Sequence, residues 1–126
     1  MNSTPLLPLP PTETLTVEFK SDRTRLSDND LVEALVCLTN TEGGELWLGV
    51  EDDGTPTGLH VAHQDLAGLP AMVAAKTSPS LLVTVDVFDL SGVSVAQIVA
   101  PKSNREVATT TGVYLRRRLK QDGMPE

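Results

Sequence analysis

Hydrophobic residues recur along this chain with two different periods. Leu15, Val17 and Phe19 alternate with Thr16, Glu18 and Lys20, the spacing of a half-buried strand. After a polar bend from Ser21 to Leu26 the period changes. Leu31, Leu35 and Leu38, flanked by Val32 and Val36, trace one helical face up to Thr39. Ser27 stands where an N-cap belongs, with Asp28 and Asp30 in the first turn, where the helix dipole favours acids. Gly43-Gly44 supplies a left-handed helix stop. Leu46, Leu48 and Val50 then alternate with Glu45, Trp47 and Gly49, predicting a second strand whose three aliphatic residues share the core face.

Asp53-Gly54 signals a hairpin turn, with Pro56 and Gly58 marking a short return strand near Leu59. Asp65 to Lys76 reads as a helix with Pro70 in its first turn, ended by Ser78-Pro79. Two Val-rich runs, Leu82 to Leu90 and Val93 to Ala100, flank the turn Ser91-Gly92 as a hairpin. A last strand is expected from Val113, with Tyr114, Arg116, Arg118 and Lys120 on one face. The order β-α-β-β-α-β-β-β predicts a single α+β domain: a mixed β-sheet of about five to six strands with two helices packed on it. The prolines of residues 1–12 predict an extended arm, residues 13–120 the folded domain, and the polar residues 121–126 the start of a linker to a further region.

Composition narrows the possible chemistry. With 126 residues there is room for one core, and a 3% aromatic content leaves that core to Val, Leu and Ala. Base-stacking surfaces are limited to Phe19, Trp47, Phe88 and Tyr114. The net charge of −7 argues against a binder of nucleic acid or membrane that uses its whole surface. Charge is uneven, however: acids dominate from Glu13 to Asp53, and bases dominate from Lys102 onward. The single cysteine, Cys37, excludes an internal disulfide and a cysteine-based zinc site. No apolar run spans a membrane and no secretory leader is legible, so a cytoplasmic location is expected.

Candidate chemistry lies with carboxylates and with the basic end. Glu13, Glu18, Glu51, Asp52 and Asp53 fall at or beside the ends of two candidate strands. Convergent carboxylates suit Mg²⁺ or Mn²⁺ in phosphodiester cleavage; scattered, they are solvated acids. Glu13 and Glu18 differ in strand parity, so convergence requires a bend between them. His60 and His63 lack a full set of metal ligands and read as packing or surface residues. Tyr114 with Arg116, Arg118 and Lys120 has the composition of a phosphate-tracking surface, or of a charged edge that discourages aggregation.

The order of four segments resembles one known family. LTVEFK (Leu15 to Lys20), CLTNTEGG (Cys37 to Gly44), LWLGVEDDGTPTG (Leu46 to Gly58) and VYLRR (Val113 to Arg117) are similar to the Schlafen AlbA-like domain. That family is described as a DNA-binding domain of bacterial and archaeal transcriptional regulators, often N-terminal in a longer chain. The resemblance implies a DNA-binding module, with Lys20, Tyr114, Arg116, Arg118 and Lys120 as nucleic-acid contacts. Animal relatives imply a second reading, a Mg²⁺- or Mn²⁺-dependent endoribonuclease acting on tRNA-like RNA. The positions matching its carboxylate triad are Glu13, Glu18 and Asp52, as catalytic and metal-ligating residues. A dimerisation module without a ligand is a third reading, and a homodimer would bring two basic ends together. This chain departs from the family at Cys37, Leu38 and Thr39, where Ala-Phe-Ala is common. It departs again after Tyr114-Leu115-Arg116, where the family often places Gly-Ser and here Arg117, Arg118 and Leu119 intervene.

Overall fold

The computed structural model describes residues 9–113, 116–117 and 124–125 of the chain. Its elements are β1 (Val17–Lys20), α1 (Asp28–Thr41), β2 (Gly44–Leu48), α2 (Leu69–Ala75), β3 (Thr77–Ser78), β4 (Thr84–Leu90), β5 (Val93–Ala100) and β6 (Ala108–Thr109). Four strands form the main sheet in the order β1-β2-β5-β4; β3 and β6 pair separately. β1 runs parallel to β2, and the remaining pairs are antiparallel, so the sheet is mixed and the α+β expectation holds.

Helix α1 begins and ends where local chemistry requires. The Ser27 hydroxyl accepts the Asp30 amide at 3.1 Å, which satisfies a donor that the helix itself leaves unpaired. At the other end the Gly43 amide donates to the Leu38 carbonyl at 2.8 Å, with Gly43 at φ +75°. The next residue allows β2 to lie tightly beside the approach to β1: a Cβ on Gly44 would stand 2.2 Å from the Thr16 carbonyl oxygen. Glu45 donates to that same oxygen at 2.8 Å.

The central strands are covered on both faces, while β4 at the edge is largely exposed. Leu46, Leu48, Ala96 and Ile98 pack against Leu31, Leu35 and Leu38 of α1 and Val73 of α2. On the opposite face Val17, Phe19, Trp47, Leu90 and Val95 form a second cluster, with Leu9 and Phe88 against it. Val50 joins this second cluster and not the face of Leu46 and Leu48, as its alternation predicted. The cause is Gly49 at φ +94°: the amides of Gly49 and Val50 both donate to the Lys20 carbonyl, at 2.8 and 3.3 Å. The extra residue shifts parity by one.

Three other expectations are corrected. The segment near Leu59 is no strand; only Val50 and Pro56 bridge, and the Thr57 and Gly58 amides fold back onto the Gly49 carbonyl. The helix expected from Asp65 is shorter and begins at Leu69, because the Asp65 carboxylate takes the Ala67 amide at 2.9 Å in a local turn. A single 3₁₀ turn, Val61–His63, precedes it. The strand expected from Val113 is not formed at residues 113, 116 and 117; the short β6 lies upstream instead. Residues 114, 115 and 118–120 fall outside the described positions. No helix among the described residues is long and apolar enough to cross a membrane.

Replacing Gly44 by Ala forces its Cβ into backbone that has no rotamer to yield. The expected loss is about 2–3 kcal/mol, measured by urea unfolding. Gly68→Ala, with open space around the new methyl and an ordinary backbone angle, should stay within about 0.5 kcal/mol of the parent.

Candidate nucleic-acid interface and carboxylate cluster

The bend that the carboxylates require is present. Thr14 and Val17 close a tight turn through paired backbone hydrogen bonds of 3.0 and 3.4 Å. This turn reverses Glu13 onto β1, where its Oε1 accepts the Phe19 amide at 2.8 Å. Burial pushes the Glu13 carboxyl above its usual range; the Phe19 hydrogen bond opposes that, and the charges of Glu18 and Asp52 add to it. Glu13 therefore lies within electrostatic reach of Glu18 and of Asp52.

Of the three acids at the hairpin tip, two are held by the turn. The Thr57 hydroxyl donates to Glu51 at 2.5 Å, and the Asp53 carboxylate accepts the Thr55 amide at 2.9 Å. Those contacts hold both carboxyls below their ordinary values, with Ser21 also contributing at Glu51. Asp52 is exposed and has no such contact among the described residues. The histidines are structural. Asp22, fully buried, accepts from the Leu26 and His60 amides and pairs with His63 Nδ1 at 2.7 Å, tying the β1–α1 loop to the 3₁₀ turn. His60 caps that turn through Nδ1.

The residue that sequence reasoning overlooked is Arg117. Its side chain is 5% exposed; Nη1 donates to Glu18 Oε2, and Nη2 donates to the Thr14 carbonyl at 2.8 Å. The polar end of α1 delivers it there. Thr39 Oγ1 donates to the Pro101 carbonyl, and Asn40 grips the Val107 backbone through both amide atoms, at 2.7 and 2.8 Å. Thr41 Oγ1 accepts the Arg117 amide at 2.8 Å while donating to the Cys37 carbonyl. Three consecutive residues thus hold three successive parts of the C-terminal segment. The signal was in the parity: on the strand pattern Arg117 falls with Val113 and Leu115 on the inward side, opposite Arg116.

Between β1 and α1 lies a cleft of about 300 Å³ lined by Glu18, Lys20, Asp30, Glu33, Cys37 and Arg117. Lys20 Nζ lies 3.5 Å from Glu18 Oε1. Burial raises the Cys37 thiol, opposed by the Arg117 charge. Of the predicted nucleic-acid contacts, Lys20 is part-exposed and Arg116 exposed; Tyr114, Arg118 and Lys120 lie outside the described residues. Phe19 and Trp47 are buried and offer no stacking surface.

A divalent ion does not fit the cluster as arranged. Glu18 is engaged by Arg117 and Lys20, and one Glu13 oxygen by a backbone amide. Among the described residues no three His, Cys, Asp or Glu side chains are grouped to hold a metal.

Breaking the buried pair leaves one charge uncompensated. Arg117→Ala and Glu18→Gln should each lower unfolding stability by about 3 kcal/mol, and the double variant by less than their sum. For Glu13, the folded carboxyl titrates above the unfolded value of 4.5. Stability associated with its neutral form is full below that value and is lost as pH rises through the folded one. Glu13→Gln fixes the neutral form. Its melting temperature relative to the parent should therefore rise as the pH climbs above about 4.5 and level off once the folded carboxyl is ionised.

The comparisons with known proteins follow the same frame. No protein of curated function matches the chain. The crystal structure of the DIP2311 protein from Corynebacterium diphtheriae is similar, with TM-score 0.69 and 19% identity. The match covers 89% of this chain but 24% of that one, so the present chain spans about a quarter of its length. A solution structure from Nitrosomonas europaea, the N-terminal domain of a protein named as related to the ATP-dependent DNA helicase RecG, has TM-score 0.62 and 18% identity. That match covers 86% of this chain and 82% of the other. At these identities the likeness carries the fold alone. Residues 13–125 match the family described as Schlafen, AlbA_2, and the chain belongs to that family.

Proposed function

We propose that the domain of residues 13–120 binds nucleic acid, DNA in the first instance, as a module of a cytoplasmic transcriptional regulator. The observation that carries this reading is the anchoring of the basic C-terminal segment. Arg117 is buried against Glu18, and its neighbour Arg116 is exposed beside the edge strand β1. The cations therefore divide into one that fastens the segment and others that meet phosphates: Arg116, Arg118, Lys120 and, across the cleft, Lys20. Tyr114 supplies the stacking surface that the buried Phe19 and Trp47 do not. Family membership and the similarity to the domain of a RecG-related protein support the same reading.

Phosphate contacts position a protein without reading bases, so affinity is expected to be salt-dependent and weakly sequence-specific. Binding is preferred to cleavage because Glu18, central to any carboxylate triad with Glu13 and Asp52, is engaged by a guanidinium. Pairing of two copies would double the cationic surface.

The test is a salt titration of duplex DNA and tRNA binding by gel shift. Arg116→Glu combined with Arg118→Glu should weaken affinity at least about tenfold and reduce the salt slope by about two. Unchanged affinity and slope overturn the assignment. Incubation with tRNA and Mn²⁺ should leave the RNA intact; cleavage lost in Glu18→Ala or Asp52→Ala would replace binding by endoribonuclease activity.

A further inference from the structure

The structural role of His63 occupies only one nitrogen of its ring. The Asp22 carboxylate, fully buried, accepts the Leu26 and His60 amides and holds the Nδ1 proton of His63, which fixes the ring plane. In the neutral ring Nε2 then carries the lone pair. That nitrogen has no hydrogen-bond partner among the described residues, although the side chain is only 8% exposed. It is not sealed in either, because Arg117 Nε is the one unpaired side-chain nitrogen or oxygen among them that is wholly enclosed.

The ring lines a cavity of about 160 Å³ shared by the start of α1, the 3₁₀ turn, the loop after it and α2. Leu31, Leu66, Leu69 and Met72 give it apolar walls, and Asp28 and Asp65 are its charged members, with no lysine or arginine. We propose that this cavity binds a primary alkylammonium group, the stem against the four apolar side chains and the N–H donors on His63 Nε2, Asp28 and Asp65. Both carboxylates keep an oxygen for it. Asp65 Oδ1 takes the Ala67 amide at 2.9 Å and Asp28 Oδ1 meets Arg25 at 3.2 Å, while neither Oδ2 has a partner among the described residues. An ammonium has three donors and no acceptor, which matches one lone pair and two carboxylates. An anion would meet two charges of its own sign, and a purely apolar group would leave Nε2 unpaired. The volume holds about five water-sized groups of roughly 30 Å³, the size of a four-carbon amine or of a lysine side chain beyond Cβ. No described residue of the basic C-terminal segment lines the cavity, so the site is separate from the nucleic-acid surface proposed above.

The test is an NMR titration of the 126-residue chain with n-butylammonium chloride, with n-butanol and NaCl of matched ionic strength as controls. At about pH 8 the amine is charged and an ordinary imidazole is neutral. The ammonium should shift His63 Nε2 and the amides of Asp65, Leu66 and Leu69 saturably, and bind at least about tenfold more tightly than butanol. Asp65→Asn retains the oxygen that receives the Ala67 amide and should weaken ammonium binding about threefold. His63→Gln should abolish the preference for ammonium over butanol; should that variant not fold, Asp65→Asn decides. Equal affinity for butanol, shifts reproduced by NaCl, or an affinity unmoved by Asp65→Asn overturns the proposal. A lysine-containing tripeptide, with its Nε-acetylated form as control, separates the two sources of the group. Peptide binding as tight as that of butylammonium assigns the site to a lysine of another protein, weaker binding assigns it to a free amine, and failure of both ligands overturns it.

Discussion

A guanidinium removed from water must be met by a carboxylate, and the Glu18–Arg117 pair meets that demand across almost the whole length of the chain. Much of the molecule's arrangement serves to bring those two residues together. The parallel pairing of β1 with β2 fixes Glu18 on an edge strand. The end of α1 fixes the path of the chain from Pro101 to Arg117 by three side chains in succession. Loss of any one of those grips leaves the pair to be formed by a longer free segment, at a greater cost in chain entropy.

The same arrangement separates core from surface in a chain with few aromatic residues. Covering both faces of the central strands consumes Phe19, Trp47 and many of the aliphatic residues. What remains for a ligand is charge, and the charges are sorted by position. Two of the three acids at the hairpin tip, Glu51 and Asp53, are occupied by threonines, Asp22 by amides and a histidine, and Glu18 by Arg117. A net charge of −7 is thereby compatible with an exposed Arg116 and a part-exposed Lys20, because several of the acids already have partners of their own.

Local chemistry was legible where a signal and its structural consequence are neighbours. Ser27, Gly43 and Ser91-Gly92 marked the cap, the stop and the hairpin that the structure contains. Legibility failed where one residue alters the register of those after it. Gly49 moved Val50 to the opposite face, and the Asp65 turn delayed α2. It failed again where partners are far apart in sequence. Thr39, Asn40 and Thr41 look unremarkable in a helix pattern, since their acceptors and donors lie some sixty or more residues downstream. Arg117 was visible only as a cation on the inward side of an alternating run, and one run of arginines hides which member is buried.

Trp47 has an optical consequence. It is the single tryptophan, has no solvent exposure, and donates its indole N–H to Glu45, which in turn accepts from Gln97 of β5. Its emission therefore reports the integrity of the sheet interior. The indole has no exposed face on which to stack a base, so a change in its fluorescence on mixing with DNA or RNA would signal rearrangement of the sheet and not direct contact.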